Sequence, residues 1–229
     1  MEEQYMKITK VTDRHIIFTV PENADYDVNL GLILGENHNF IIDTGMGSSC
    51  VNAILEYLAG DSKPIVAINT HAHEDHIMGN WVLKDSIIIS HMLCREIMDK
   101  RWNDGSIREY VQQNSEYFDD EIHKCLPNLV FEYSLHFPDE GITLFHSPGH
   151  TEDCISVYDA FDKVLYTGDN FGVSEGVAHL WAEDLQDYQR LIETYKQYDF
   201  NICIPSHSEP QTRGVLTLLE TALAEACRK

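Results

Sequence analysis

Residues 71 to 76 read His71-Ala72-His73-Glu74-Asp75-His76, three imidazoles and a carboxylate within six positions. In extended backbone, residues i and i+2 point the same way, so His71 and His73 can reach one cation. If the chain then turns into a helix, Asp75 and His76 project from its first turn toward a neighbouring position, which creates two adjacent sites. Imidazole and carboxylate together suit zinc or a similar divalent ion, with one position left for water. The alternative is a polar surface loop at a strand end, and four candidate ligands so close together weigh against it.

Six residues cannot enclose two ions, so further ligands are expected at strand ends where loops gather. His150 in Ser147-Pro148-Gly149-His150-Thr151, Asp169 at the end of KVLYTGD, and His207 in Pro205-Ser206-His207-Ser208 all follow a short apolar run and sit beside a Gly or Pro turn. Each alone would be an ordinary surface residue. Their repeated context makes them candidates.

The elements that must position these residues can be read from apolar periodicity. YMKIT, HIIFTV, LGLIL and NFIID are short β runs that predict an antiparallel meander. Val51, Ile54, Leu55 and Leu58 recur at helical spacing ahead of Gly60. PIVAINT is a buried strand running into the histidine cluster, and IIIS at 87–90 is another. From His91 to about Lys124 the pattern is helical and mixed polar, an inserted segment carrying Trp102, Tyr110, Tyr117 and Phe118, either as packing or as a lid. LVFEYSLHF, GITLFHS, CISVYDA and KVLYTGD return to β structure, Leu185 to Tyr195 marks a helix, NICIP a last strand, and roughly 211–226 a last helix. Strand-rich halves ending in helices make two βββα-like repeats within a single domain, 1–229.

Composition narrows the function. The chain has 229 residues, 43% of them hydrophobic, and a formal charge of -22. Nucleic acid needs cationic neighbours, so a nucleic-acid role is not expected. No run approaches 18 apolar residues, so no membrane partner is expected either. MEEQYMKITK has no export-signal pattern, and Cys50, Cys94, Cys125, Cys154, Cys203 and Cys227 form no C-x-x-C pair. Reduced thiols in a cytoplasmic protein are the expectation.

IIDTG, THAHEDH, SPGHT, YTGD and the late His207 resemble the five ordered motifs of the metallo-β-lactamase superfamily, in its glyoxalase II-like H-x-H-x-D-H branch. The resemblance implies an α+β fold, the four-layer αββα sandwich, with the helical insertion at about 91–124. It also implies a ligand set. His71, His73 and His150 would hold one metal, Asp75, His76 and His207 the second, and Asp169 would bridge them. Asp43 would orient ligand histidines without touching metal, or else serve as a helix-cap or turn carboxylate before GMGSS. His15, His38, His91, His123, His136, His146 and His179 match no metal motif. His146 is expected to face the core, while His179 and Trp181, on a loop after Asp169, are candidate substrate contacts.

Two divalent ions, most simply zinc but with iron or manganese open, would sit about 3.5–4 Å apart and bring the pKa of a shared water from about 15.7 toward 7. The resulting hydroxide would attack a small ester, thioester, lactone or phosphodiester, with Asp75 orienting it or passing its proton. No G-x-S-x-G elbow offers a covalent route. Glyoxalase II relatives carry a glycine pair where Met78-Gly79 stands, and a C-terminal domain for which the 22 residues after His207 leave no room. Quorum-quenching lactonases place a tyrosine where Gly172 stands. Alternatives are an iron-dependent redox enzyme, such as a persulfide dioxygenase, or a non-catalytic scaffold. Diiron relatives generally have Glu at the His73 position, and a scaffold would be expected to have lost ligands.

Overall fold

Alternating apolar residues at the start of the chain form the antiparallel meander β1 (Lys7–Lys10), β2 (His15–Pro21), β3 (Asp27–Leu34) and β4 (Asn39–Ile42) in the computed structural model. The structure describes residues 6–21, 27–113, 122–181 and 184–228, so Tyr117 and Phe118 lie outside the described residues. Contacts divide the chain into two compact units, Met1–Phe131 and Glu132–Lys229.

In the first unit, β4 is followed by α1 (Ser48–Tyr57), β5 (Ile65–Ile68), the short helix α2 (Glu74–Ile77), a 3₁₀ turn over Met78–Leu83, and β6 (Ile87–His91). Two further helices, α3 (Met92–Arg101) and α4 (Asp104–Gln113), precede β7 (Leu129–Phe131). The seven strands lie in chain order, and β4 to β7 pair in parallel. Parallel neighbours need a crossover, which α1, the α2 turn and the α3–α4 segment supply. α1 lays Cys50, Val51, Ile54 and Leu58 on a face formed by Phe18, Leu30, Leu32, Ile41 and Ala67. Each fully buried aliphatic side chain there contributes about 1.5–3 kcal/mol. A second apolar cluster joins Ile77 and Met78 to Met98, Trp102 and Ile107 of the inserted helices.

In the second unit, β8 (Ser134–Phe137), β9 (Ile142–His146), β10 (Ile155–Asp159) and β11 (Val164–Gly168) are antiparallel. After a hairpin of β12 (Gly172–Ser174) and β13 (Val177–His179), α5 (Leu185–Lys196) crosses to β14 (Ile202–Pro205), parallel to β11. β15 (Gln211–Thr212) and α6 (Val215–Ala226) follow. Tyr188, Leu191, Ile192 and Tyr195 of α5 form the core with Leu165, Cys203, Val215 and Leu219.

The structure corrects two expectations and adds one element. LVFEYSLHF is not one β run: it breaks at Glu132-Tyr133, and its halves join different sheets. The last helix starts at Val215, because Gln211 and Thr212 instead pair with Cys203 and Ile202. The β12–β13 hairpin was not foreseen, its three-residue strands being too short to show a period.

Among the described residues no helix is long and apolar enough to cross a membrane. All six cysteines are free thiols, with Cys50, Cys94, Cys154 and Cys203 buried and Cys227 exposed.

Candidate metal centre

Parallel register brings the first set of candidate ligands to one sheet end. Ile42 of β4 pairs with Ile68 of β5, so Asp43 and the loop starting at Asn69 leave the sheet side by side. The strand stops at Ile68, and His71 stands on a bend three residues later, not on the extended strand end that the i, i+2 argument assumed. His73 is extended and caps α2, with Asp75 and His76 in the single turn that follows. The rings of His73 and His76 lie 4.6 and 4.1 Å from that of His71, centroid to centroid. His76 Nε2 is 2.9 Å from Asp75 Oδ2.

Asp43 holds this cluster from behind. It is buried, has a left-handed φ of 61°, and its Oδ2 lies 2.8 Å from His76 Nδ1. The Thr70 N–H donates to Asp43 Oδ1 at 2.7 Å and the Thr70 hydroxyl to Oδ2 at 2.8 Å. With its proton committed there, the Thr70 oxygen accepts from His71 Nδ1 at 3.1 Å. One carboxylate therefore orients two imidazoles, directly and through a hydroxyl, and sets both to carry a proton on Nδ1. Burial pushes the Asp43 carboxyl above its usual range, while the His76 imidazole and the Thr70 bonds pull it back.

A buried amide network fixes the backbone of the same loop. The His76 carbonyl accepts from Asn69 Nδ2 at 3.1 Å and from the Thr44 hydroxyl at 3.1 Å, and Asn80 bonds back to Asn69 at 2.8 Å. Gly79 follows because a Cβ there would sit 2.2 Å from the Thr44 carbonyl oxygen. Only glycine permits that approach.

The second unit repeats the logic. Gly168 of β11 pairs in parallel with Pro205 of β14, so Asp169 and His207 leave adjacent strand ends together. His207 Nε2 lies 3.3 Å and His150 Nε2 3.8 Å from Asp169 Oδ2. The His150 Nδ1–H donates to the Trp181 carbonyl at 3.0 Å, and the His150 backbone N–H donates to Asn170 Oδ1 at 3.1 Å. Asn170 Nδ2 in turn donates to the Ser147 carbonyl and to the Tyr195 hydroxyl, both at 2.9 Å. Ser208 Oγ accepts from the Val173 N–H at 2.7 Å, which ties the His207 loop to β12.

Of the candidate substrate contacts, Trp181 is half-buried, its ring 6.3 Å from that of His150 and 5.8 Å from that of His207. His179 is exposed, with Nε2 2.7 Å from the Ser174 hydroxyl across the hairpin. His146 does not face the core: it ends β9 half-buried, with Nε2 2.8 Å from the Glu152 carbonyl. Sequence reasoning missed Thr70, Asn69, Asn80 and Asn170. Thr70 and Asn170 carried the signal of adjacency, to His71 and Asp169, while Asn69 and Asn80 carried none.

These motif positions and folds define a class. Residues 24–207 match the metallo-β-lactamase superfamily, and the chain belongs to it. Solved structures show the same mixed α/β fold. A metallo-β-lactamase from Pontibacter korlensis superposes with a TM-score of 0.71 at 20% identity, covering 96% of this chain and 99% of that one. FIM-1 from Pseudomonas aeruginosa, in its mono-zinc form, gives 0.71 at 17% identity and 96% coverage of both. Among curated proteins, the chain is similar to the acyl-coenzyme A thioesterases MBLAC2 of Bos taurus and Homo sapiens. Identities are 24% and 22% over 205 residues, covering 78% of this chain and 72% of each relative.

Proposed function

We propose that residues 1–229 work as one metallo-β-lactamase-like domain, a two-metal hydrolase of acyl thioesters within the wider class of small esters, lactones and phosphodiesters. The proposed ligands are His71, His73 and His150 for one ion, Asp75, His76 and His207 for the other, and Asp169 between them. The observation that carries this reading is the way the imidazoles are aimed. His76 and His150 are anchored through Nδ1, by Asp43 and the Trp181 carbonyl, and present Nε2 to Asp75 and Asp169. Neutral imidazole nitrogens converging with carboxylates are the donor set that a divalent cation such as zinc requires. The thioester preference rests on the MBLAC2 relatives, which are named for that activity.

When bound, the divalent ions supply an activated water near neutral pH and polarise the substrate carbonyl. The chain's own residues do the rest. Asp75, buried to 6% exposure, orients the attacking water and takes its proton on the carboxylate oxygen left free by the cation. Asp43 and Thr70 keep His71 and His76 from rotating as charge develops, and Asn170 fixes the backbone of His150. The leaving thiol needs no covalent enzyme intermediate.

The formal charge of -22 bears on the thiol portion. A leaving group bearing several phosphates meets a repelling field, whereas a neutral pantetheine-like thiol does not. The test is a panel of acyl-coenzyme A, acyl-N-acetylcysteamine, nitrophenyl ester, lactone and bis-nitrophenyl phosphate substrates, each run with zinc, manganese and iron. Thioester cleavage that a chelator abolishes and zinc restores is the expected result, with the coenzyme A substrate gaining most from added salt. Absence of turnover with every substrate and metal overturns the hydrolase reading. Oxygen consumption by the iron form would replace it with redox chemistry.

A further inference from the structure

Trp181 sits within the second unit in a way that no packing requirement of the core explains. Its ring is edge-on to both His150 and His207, at 70° and 71° between planes. Its carbonyl accepts the His150 Nδ1–H at 3.0 Å. Directly beneath the indole lies Gly172, where a Cβ would fall 2.7 Å from Cη2 and 2.8 Å from Cζ2. The chain has thus left position 172 without a side chain, and the indole of a residue nine positions later occupies that space. The backbone of Trp181 is held at its carbonyl by His150, yet its ring stays half-buried against two ligand histidines instead of joining the apolar cluster around Tyr188 and Leu191.

A rigid aromatic face beside metal-ligating imidazoles offers an apolar surface next to the reacting carbon, at little cost in side-chain entropy. We infer that Trp181 is the specificity-determining wall for the acyl group, selecting substrates with an apolar chain on the carbonyl side. This deepens the thioester reading and rests on it. Gly172 is part of the same device, because any side chain there displaces the indole.

The test compares acetyl and octanoyl N-acetylcysteamine thioesters. Trp181→Ala is expected to lower the octanoyl-to-acetyl ratio of kcat/KM about tenfold, the scale on which an apolar pocket discriminates chain length. The loss should appear mainly in KM, and Trp181→Phe should restore most of the ratio. Gly172→Ala, which keeps the indole but moves it, should reproduce the loss. A second readout needs neither turnover nor metal. In protein labelled with 5-fluorotryptophan, the resonance that Trp181→Phe removes should shift on adding an octyl thioether analogue and stay still with the ethyl one. An unchanged ratio in Trp181→Ala and Gly172→Ala overturns the inference while leaving the hydrolase reading standing. Failure of the wild type on every thioester overturns that reading instead, and the fluorine shift then decides whether the wall binds an apolar chain.

Discussion

Thr70 passes the orienting influence of Asp43 to His71: its hydroxyl donates to Asp43 Oδ2 at 2.8 Å and receives the His71 Nδ1 proton at 3.1 Å. Asp43 acts on His76 without an intermediary. The two imidazoles therefore depend on one carboxylate by routes of different length, and mutation can separate them. Thr70→Val keeps the shape but removes the relay, so metal affinity is expected to fall about tenfold, with Thr70→Ser close to wild type. Asp43→Asn, which still tolerates the left-handed backbone, should lower affinity about 10–100-fold because His76 loses its charged acceptor and the Thr70 hydroxyl that holds His71 loses its own. Competition titration with a fluorescent zinc chelator measures both. Equal affinities for wild type and Asp43→Asn would remove Asp43 from the metal site.

Asn170 is the matching anchor in the second unit, where one side chain bonds His150, Ser147 and Tyr195. Asn170→Ala leaves three polar groups short of a partner, and the two buried ones, at Ser147 and Tyr195, cost about 1–3 kcal/mol each before relaxation. Urea denaturation of the metal-free protein should show a loss of about 2–4 kcal/mol with an unchanged m-value. A loss seen only in the metal-loaded protein would mean that Asn170 acts on the ligands and not on the fold.

Much of this was legible in the sequence because the signals are local. The clustering of His71, His73, Asp75 and His76, the helical period of α1 and the strand-then-turn context of Asp169 and His207 need no tertiary knowledge. The i, i+2 geometry assumed for His71 and His73, by contrast, does not hold, because the strand stops at Ile68. What was not legible depends on register. That Ile42 lies opposite Ile68, and Gly168 opposite Pro205, brings Asp43 beside Thr70 and Asp169 beside His207, and a parallel pairing has no short-range signature. The same limit hid the break in LVFEYSLHF, where Glu132 and Tyr133 are ordinary strand residues by type. Trp181 was found as an aromatic near Asp169, but its place over Gly172 follows from a hairpin too short to leave a period.

The cysteines separate by burial. Burial raises the thiols of Cys154 and Cys203, that of Cys203 to about 12, and Cys227 lies exposed after α6. A raised pKa means a protonated thiol at pH 8, and only the thiolate attacks a disulfide reagent. Native protein treated with an aromatic disulfide at pH 8 should react quickly at Cys227, while Cys154 and Cys203 react only as the protein unfolds. Peptide mapping by mass spectrometry assigns the labelled positions. Rapid labelling of Cys203 in the folded protein would contradict the packing of β14 against α5.

Glu74 decides what the inserted helices do to the metal loop. Its carboxylate, on the first residue of α2, accepts from the Tyr110 hydroxyl at 2.9 Å and from Arg101 at 3.2 Å, so α3 and α4 are fastened to the turn that carries Asp75 and His76. The Arg101 pair is partly exposed and contributes little by itself, whereas the less exposed Tyr110 bond to a charged acceptor is worth about 1.5–3 kcal/mol. Below them, Ile77 and Met78 pack against Trp102 and Ile107. Glu74→Gln keeps an acceptor for Tyr110 and should be mild, while Glu74→Ala should loosen α4 first, because its bond to α2 is lost. Hydrogen exchange followed by mass spectrometry is expected to show faster exchange over 104–113 in Glu74→Ala, with a smaller change over 92–101. If exchange rose equally over the whole first sheet, Glu74 would be supporting the unit as a whole and not coupling the insertion to the metal loop.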